Sequence, residues 1–220
     1  MTSSAHEHIT AVQFAVGDVR LSGDLTVPDG ATGIVIFAHG SGSSRHSPRN
    51  RFVAEQLQAA GLATLLMDLL SSQEERRDEW TGELRFDIPL LAGRVEAAIT
   101  YAREDAELRE LPLGLFGAST GAAAALVAAA RLPQQVGAVV SRGGRPDLAG
   151  DALESVRAAT LLIVGGNDPA VVEMNQQAME RLSCTKCLEI VPGATHLFEE
   201  RGTLEKVAAL AGQWFGQKLS

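Results

Sequence analysis

Hydrophobic residues fall along this chain in two rhythms. Short runs that are apolar at nearly every position occur at residues 33–38 (GIVIFA), Ala63–Met67 (ATLLM), 113–116 (LGLF), 136–140 (VGAVV), 160–164 (TLLIV) and 187–191 (CLEIV). Runs of this kind, apolar on both faces, belong to the strands of a buried, mostly parallel sheet. Between them the apolar positions take helical spacing: Ile88, Leu91, Ala92, Val95, Ala98, Ile99 and Ala102 share one face. Ser47 and Pro48 suit the start of an earlier helix and Gly61 its end, and Thr203–Lys218 reads as the last helix. Ahead of all this, residues 12–14 and 21–27 with turns at Gly17-Asp18 and Pro28-Asp29-Gly30 predict a short antiparallel start. The expectation is an α/β architecture with helices on both faces of a mostly parallel sheet, where ligands bind at the carboxyl ends of the strands. No repeat or low-complexity linker divides the chain, so residues 1–220 are expected to form a single domain.

Composition narrows the function classes. Hydrophobic residues make up 45% and charged residues 21%, an ordinary globular balance, and the formal net charge is −8. An acidic chain lacks the basic face that nucleic acids and anionic membranes require, so neither is expected as a partner. The first ten residues hold neither a basic nor an apolar leader stretch, and no apolar run approaches a membrane span, so the expected location is the cytoplasm. Cys184 and Cys187 form C-x-x-C between a predicted helix and a predicted strand, where two free thiols are the simpler reading than a redox pair.

The chemistry begins at Gly117-Ala118-Ser119-Thr120-Gly121, which follows the run LGLF and precedes AAAALVAAA. This is G-x-S-x-G between a strand and a helix, the setting of a nucleophilic serine on a sharp turn. Glycines are required there because the turn is strained and its flanks lie against neighbouring backbone. The helix start also aims amide donors and the positive end of its dipole at the serine.

A serine needs a base. His6 and His8 lie in a polar N-terminal stretch, His39 and His46 flank the loop after the third strand, and only His196 follows the serine. In this kind of site the order along the chain is serine, acid, histidine. The acid is then expected in Gly165-Gly166-Asn167-Asp168-Pro169, where Asp168 leaves a strand's carboxyl end; the competing role for Asp168 is to cap a helix begun by Pro169. Asp68 ends another strand at the same edge but precedes the serine, and Asp147 and Asp151 read as caps or solvated groups. For the oxyanion hole the sequence offers the backbone amides of Thr120 and of Ser41, the latter in His39-Gly40-Ser41-Gly42.

FAHGSGSSRHSPRNR, LFGASTGAAAAL, SRGGRPDL, LLIVGGND and VPGATHLFEE together resemble the α/β-hydrolases of the dienelactone-hydrolase-like group, along essentially the whole chain. More narrowly, they resemble small bacterial hydrolases that also occur fused to a phosphoribosyltransferase domain. Dienelactone hydrolases proper use cysteine where this chain has Ser119, which favours ester hydrolysis. The resemblance implies a Ser119, Asp168 and His196 triad and no cofactor or metal.

The lid that often lies between the sixth and seventh strands has only residues 141–159 to draw on, so little or no lid is expected. Residues 69–86, a long irregular stretch with Trp80 and Phe86, are either a cover for the site or a charged solvated loop. Arg45, Arg49, Arg142 and Arg145 sit near strand ends, where they hold either an anionic substrate group or structural partners. His39, Arg45, Trp80, Phe86 and Arg142 are the expected substrate contacts. The expected partner is a small-molecule ester or lactone, acted on by a monomer or homodimer; a non-catalytic binding module and an acyltransferase are the alternatives.

Overall fold

The structure, a computed structural model, describes residues 9–219; His6 and His8 lie outside them. Eight strands form one sheet: β1 (Thr10–Val16), β2 (Val19–Thr26), β3 (Ile34–Ala38), β4 (Ala63–Met67), β5 (Leu113–Ala118), β6 (Ala138–Arg142), β7 (Ala159–Gly165) and β8 (Lys186–Val191). Their order across the sheet is β1-β2-β4-β3-β5-β6-β7-β8. The β1–β2 hairpin joins antiparallel to β4, and every pair from β4–β3 through to β7–β8 is parallel. Among the described residues six α-helices accompany them: α1 (Pro48–Ala59), α2 (Ser72–Thr81), α3 (Ile88–Glu104), α4 (Thr120–Arg131), α5 (Pro169–Arg181) and α6 (Thr203–Lys218).

The pleat explains why the central runs are apolar throughout. In β3, Ile34, Ile36 and Ala38 enter one core with α3, α4 and α5, while Val35 and Phe37 enter a second core with α1 and α6. Alternate side chains of one strand thus fill two different cores. The second core contains Phe37 stacked on Phe116 at 4.8 Å between ring centroids, and Phe215 of α6. Close packing at its floor depends on Gly114, where an added Cβ would lie 2.6 Å from the Phe215 ring.

The chain runs from β3 outward to β4 and then returns to the other side of β3 to form β5. Loops leaving neighbouring strands β3 and β5 therefore diverge, and their divergence opens a crevice at the carboxyl edge. Ser47 caps α1 as expected, its hydroxyl accepting from the Asn50 amide.

Residues 69–86 depart from the irregular stretch the sequence suggested. They contain α2, closed by a capping box in which Ser71 and Glu74 satisfy each other's backbone amides, and then a 3₁₀ turn at Leu84–Phe86. Residues 141–159 form no large lid: a 3₁₀ segment, Pro146–Ser155, packs beside α4 and α5. Among the described residues, no helix is long and apolar enough to cross a membrane.

Candidate active site

Ser119 ends the rise of β5 and starts α4 with φ 50° and ψ −122°, one of two non-glycine residues at positive φ among those described. Such a conformation is costly and persists only where the surroundings impose it. They do so through glycine. A Cβ on Gly121 would stand 2.3 Å from the carbonyl oxygens of Ala38 and His39, and one on Gly117 would stand 2.4 Å from the Ala122 Cα. The turn is tied by two main-chain bonds to the end of β6 and the segment after it, the Ser119 amide donating to the Arg142 carbonyl at 3.2 Å and the Arg145 amide to the Ser119 carbonyl at 3.1 Å.

His196 lies on the loop after β8, and its Nδ1 is 2.8 Å from Oδ2 of Asp168 on the loop after β7. The two loops are laced together. Asn167 donates from its backbone to the Ala194 carbonyl at 2.9 Å and from its side chain to the Gly193 carbonyl at 3.0 Å. Glu200 accepts from both the amide and the hydroxyl of Thr195, bracing the residue before His196. Asp168 stands at the start of α5 yet makes no side-chain cap bond, so its carboxylate is committed to the imidazole.

Asp68 has a different occupation. It accepts from the Arg45 amide at 2.8 Å and pairs with the Arg45 guanidinium, which also reaches Asp24. This corrects the expectation of Arg45 as a substrate contact, because its guanidinium is held between two internal carboxylates. Asp147 pairs with Arg145 and Asp151 with Arg181, in line with solvated surface groups.

Two cavities flank the elbow and share Gly40, Ser41 and Ser43 as a common wall. The one of about 220 Å³ contains Ser119 and His196, together with Ser47, Arg49, Asn50 and Arg142. The other, of about 250 Å³, is walled by His39, Leu69, Leu70 and Thr120 on one side and by Glu75, Asp78 and Arg85 of the α2 region on the other. Residues 69–86 therefore do cover part of the crevice, but not through the residues expected. Trp80 is 90% exposed, Phe86 is 58% exposed, and neither lines either of these two cavities. The covering face is polar, formed by Glu75, Asp78, Glu79 and Arg85, and so carries no apolar pattern in the sequence.

His39 is also reassigned. It lines the larger cavity, but its Nδ1 is 2.8 Å from the Gly40 carbonyl and its Nε2 accepts from the Leu69 amide at 3.1 Å. Burial pushes its pKa down, so it is a neutral brace between two loops with no nitrogen left for substrate.

Both expected oxyanion donors lie beside the elbow. The Thr120 amide begins α4, where helix amides have no partner within the helix. The Ser41 amide donates to the Thr120 hydroxyl at 2.9 Å. Gly40 approaches so closely that a Cβ there would be 3.1 Å from that of Ser119. Among the described residues no hydrogen bond joins Ser119 Oγ to His196, a contact that commonly tightens only around substrate.

Arg142 ends β6 in the cavity with Ser119 and is only 7% exposed. Burial, then the neighbouring Arg49, bring its pKa down to about 10, which still leaves it charged at neutral pH. Among the described residues no group of three or more His, Cys, Asp or Glu is arranged to hold a metal ion, and Cys184 and Cys187 are free thiols.

The profile of the dienelactone hydrolase family matches residues 21–217. The chain belongs to the dienelactone hydrolase family. A dienelactone hydrolase from Anabaena variabilis has 58% identity to it over 97% of this chain and 99% of that one, with a TM-score of 0.96. An esterase from Pyrococcus furiosus shares the fold at 18% identity and a TM-score of 0.79, over 97% of this chain and 92% of its own. Two curated Mycobacterium tuberculosis proteins that carry the name phosphoribosyl transferase are 58% identical over 204 residues, 93% of this chain. The chain spans 45% of their length.

Proposed function

We propose that this member of the dienelactone hydrolase family cleaves short, soluble carboxylic esters or lactones through an acyl-enzyme on Ser119. The observation that carries the reading is the 2.8 Å bond between His196 Nδ1 and Asp168 Oδ2, beside a cavity that holds both His196 and a serine at φ 50°. Asp168 fixes the proton on Nδ1, which leaves Nε2 as the base. His196 takes the Ser119 proton as Oγ attacks the carbonyl carbon. The carbonyl oxygen becomes an anion held by the Thr120 amide and by the Ser41 amide, which the Thr120 hydroxyl gives up. His196 then protonates the leaving alcohol oxygen, the acyl-enzyme remains, and water activated by His196 releases the acid.

Turnover of p-nitrophenyl acetate and butyrate tests this. Ser119→Ala is expected to lower kcat by at least about 10³-fold and to abolish labelling by a fluorophosphonate probe. A wild-type protein that neither hydrolyses these esters nor takes the probe would sink the proposal.

A further inference from the structure

Three hydrogen-bond donors meet where the start of α4 faces the loop after β3, and only two of them are main-chain amides. Thr120 is 3% exposed, yet it lines the larger cavity together with Gly40 and Ser41. Its Oγ1 accepts from the Ser41 amide at 2.9 Å. A hydroxyl also has one proton to give. Among the described residues nothing takes the proton of Thr120. Buried donors ordinarily find an acceptor, and this one belongs to a residue that lines the crevice. Its place is firmly set. A Cβ on Gly121 would stand 2.3 Å from the Ala38 and His39 carbonyl oxygens, so the first turn of α4 is pressed against the end of β3. A β-branched side chain at that point has few rotamers open to it. Thr120 therefore carries two donors on one residue, its amide and its hydroxyl, with the Ser41 amide within reach of the second.

We infer that the side-chain hydroxyl of Thr120 is a third donor of the oxyanion hole, a catalytic group beyond the two amides. Without substrate, the hydroxyl oxygen stands in for the anion and keeps the Ser41 amide paired. As Ser119 Oγ adds to the carbonyl carbon, the carbonyl oxygen gains a full charge and becomes the better acceptor. The Ser41 amide then bonds the anion, and the hydroxyl, its oxygen released, donates its proton to the same atom. A hydroxyl bond to an anion is short and charge-assisted, and much weaker to the neutral carbonyl of the bound ester. Its effect therefore falls on kcat and not on KM. This rests on the ester-hydrolase reading and adds one catalytic side chain to it. The competing role, in which the hydroxyl does no more than occupy the Ser41 amide, predicts the opposite sign: removing the hydroxyl would free that amide and leave kcat unchanged or higher.

Thr120→Val keeps the shape of the side chain and removes the hydroxyl. On p-nitrophenyl butyrate it is expected to lower kcat at least about tenfold while KM stays within about threefold. Inhibition by butane-1-boronic acid, whose tetrahedral adduct on Ser119 places an oxygen in the hole, should weaken at least about tenfold as well. Thr120→Ser, which restores the hydroxyl, should have a kcat at least about tenfold above that of Thr120→Val. A Thr120→Val enzyme with wild-type or higher kcat, a loss confined to KM, or an equal loss of kcat in the serine and valine variants each overturns the inference while leaving the esterase intact. If Thr120→Val is not recovered folded, Thr120→Ser against Thr120→Ala decides, because these two differ only by the hydroxyl. A kcat at least about tenfold higher for serine upholds the third donor, and equal values overturn it. A wild-type protein that turns over no ester overturns the ester-hydrolase reading itself, and the third donor with it.

Discussion

At the residue scale, identical side chains acquire opposite roles from their surroundings. Asp68 and Asp168 both leave strands at the same edge of the sheet, but the first is fastened to Arg45 and the second to His196. Asp168→Asn should then lower kcat on p-nitrophenyl butyrate by about 10⁴-fold, as the loss of the orienting acid does in such triads. Asp68→Asn should act mainly on stability. A larger loss of kcat at Asp68 would reverse the assignment. The histidines divide in the same way. The sequence distinguished His196 by its place after the serine, but could not tell that both nitrogens of His39 are engaged, one within its own loop and one by the Leu69 amide, because the second depends on where residue 69 returns in space.

At the element scale, the covering helix α2 owes little to an apolar stripe. Its sequence, SQEERRDEWT, buries only Asp78. Burial opposes the charge of Asp78, but the Arg85 guanidinium and the Leu84 and Arg85 amides outweigh it and hold the carboxyl below its ordinary range. Asp78→Asn should lower unfolding free energy by about 2 kcal/mol at pH 7. Because the folded pKa is depressed, the contribution is full above the ordinary carboxyl value of about 3.9 and fades as pH falls through the folded value. Urea melts of both proteins from pH 7 to pH 3 would check this, and a constant difference would contradict it. The mark of this element in the sequence is the Ser71-x-x-Glu74 capping box, not an apolar stripe. The strand β6 is a related case. Its apolar run suggested residues 136–140, yet the strand is Ala138–Arg142: its last two residues are polar, and Arg142 lines the crevice. Strands buried in the sheet were legible from their runs, whereas the ends that build the site were not.

At the scale of the whole molecule, the two cores lie under a candidate site assembled at one edge of the sheet from loops and the ends of the strands and helices they join. Stability and chemistry should therefore separate. Phe215 is fully buried against Gly114, toward the opposite end of β5 from Ser119. Phe215→Ala should cost about 3–5 kcal/mol of unfolding free energy. The folded fraction should keep the wild-type kcat on p-nitrophenyl butyrate, and a kcat that fell in proportion to stability would argue that the edge is not mechanically independent.

The tight elbow has a consequence for how this protein tolerates variation. Gly117 and Gly121 carry no reacting atom, yet any side chain there meets backbone within 2.4 Å. In a library of all single substitutions, scored once for soluble yield and once for labelling by a fluorophosphonate, these glycines should be depleted in both screens. Ser119→Ala should be lost from the labelling screen alone. The contrast would separate two kinds of indispensability that lie within two residues of each other: one for having the fold, the other for using it.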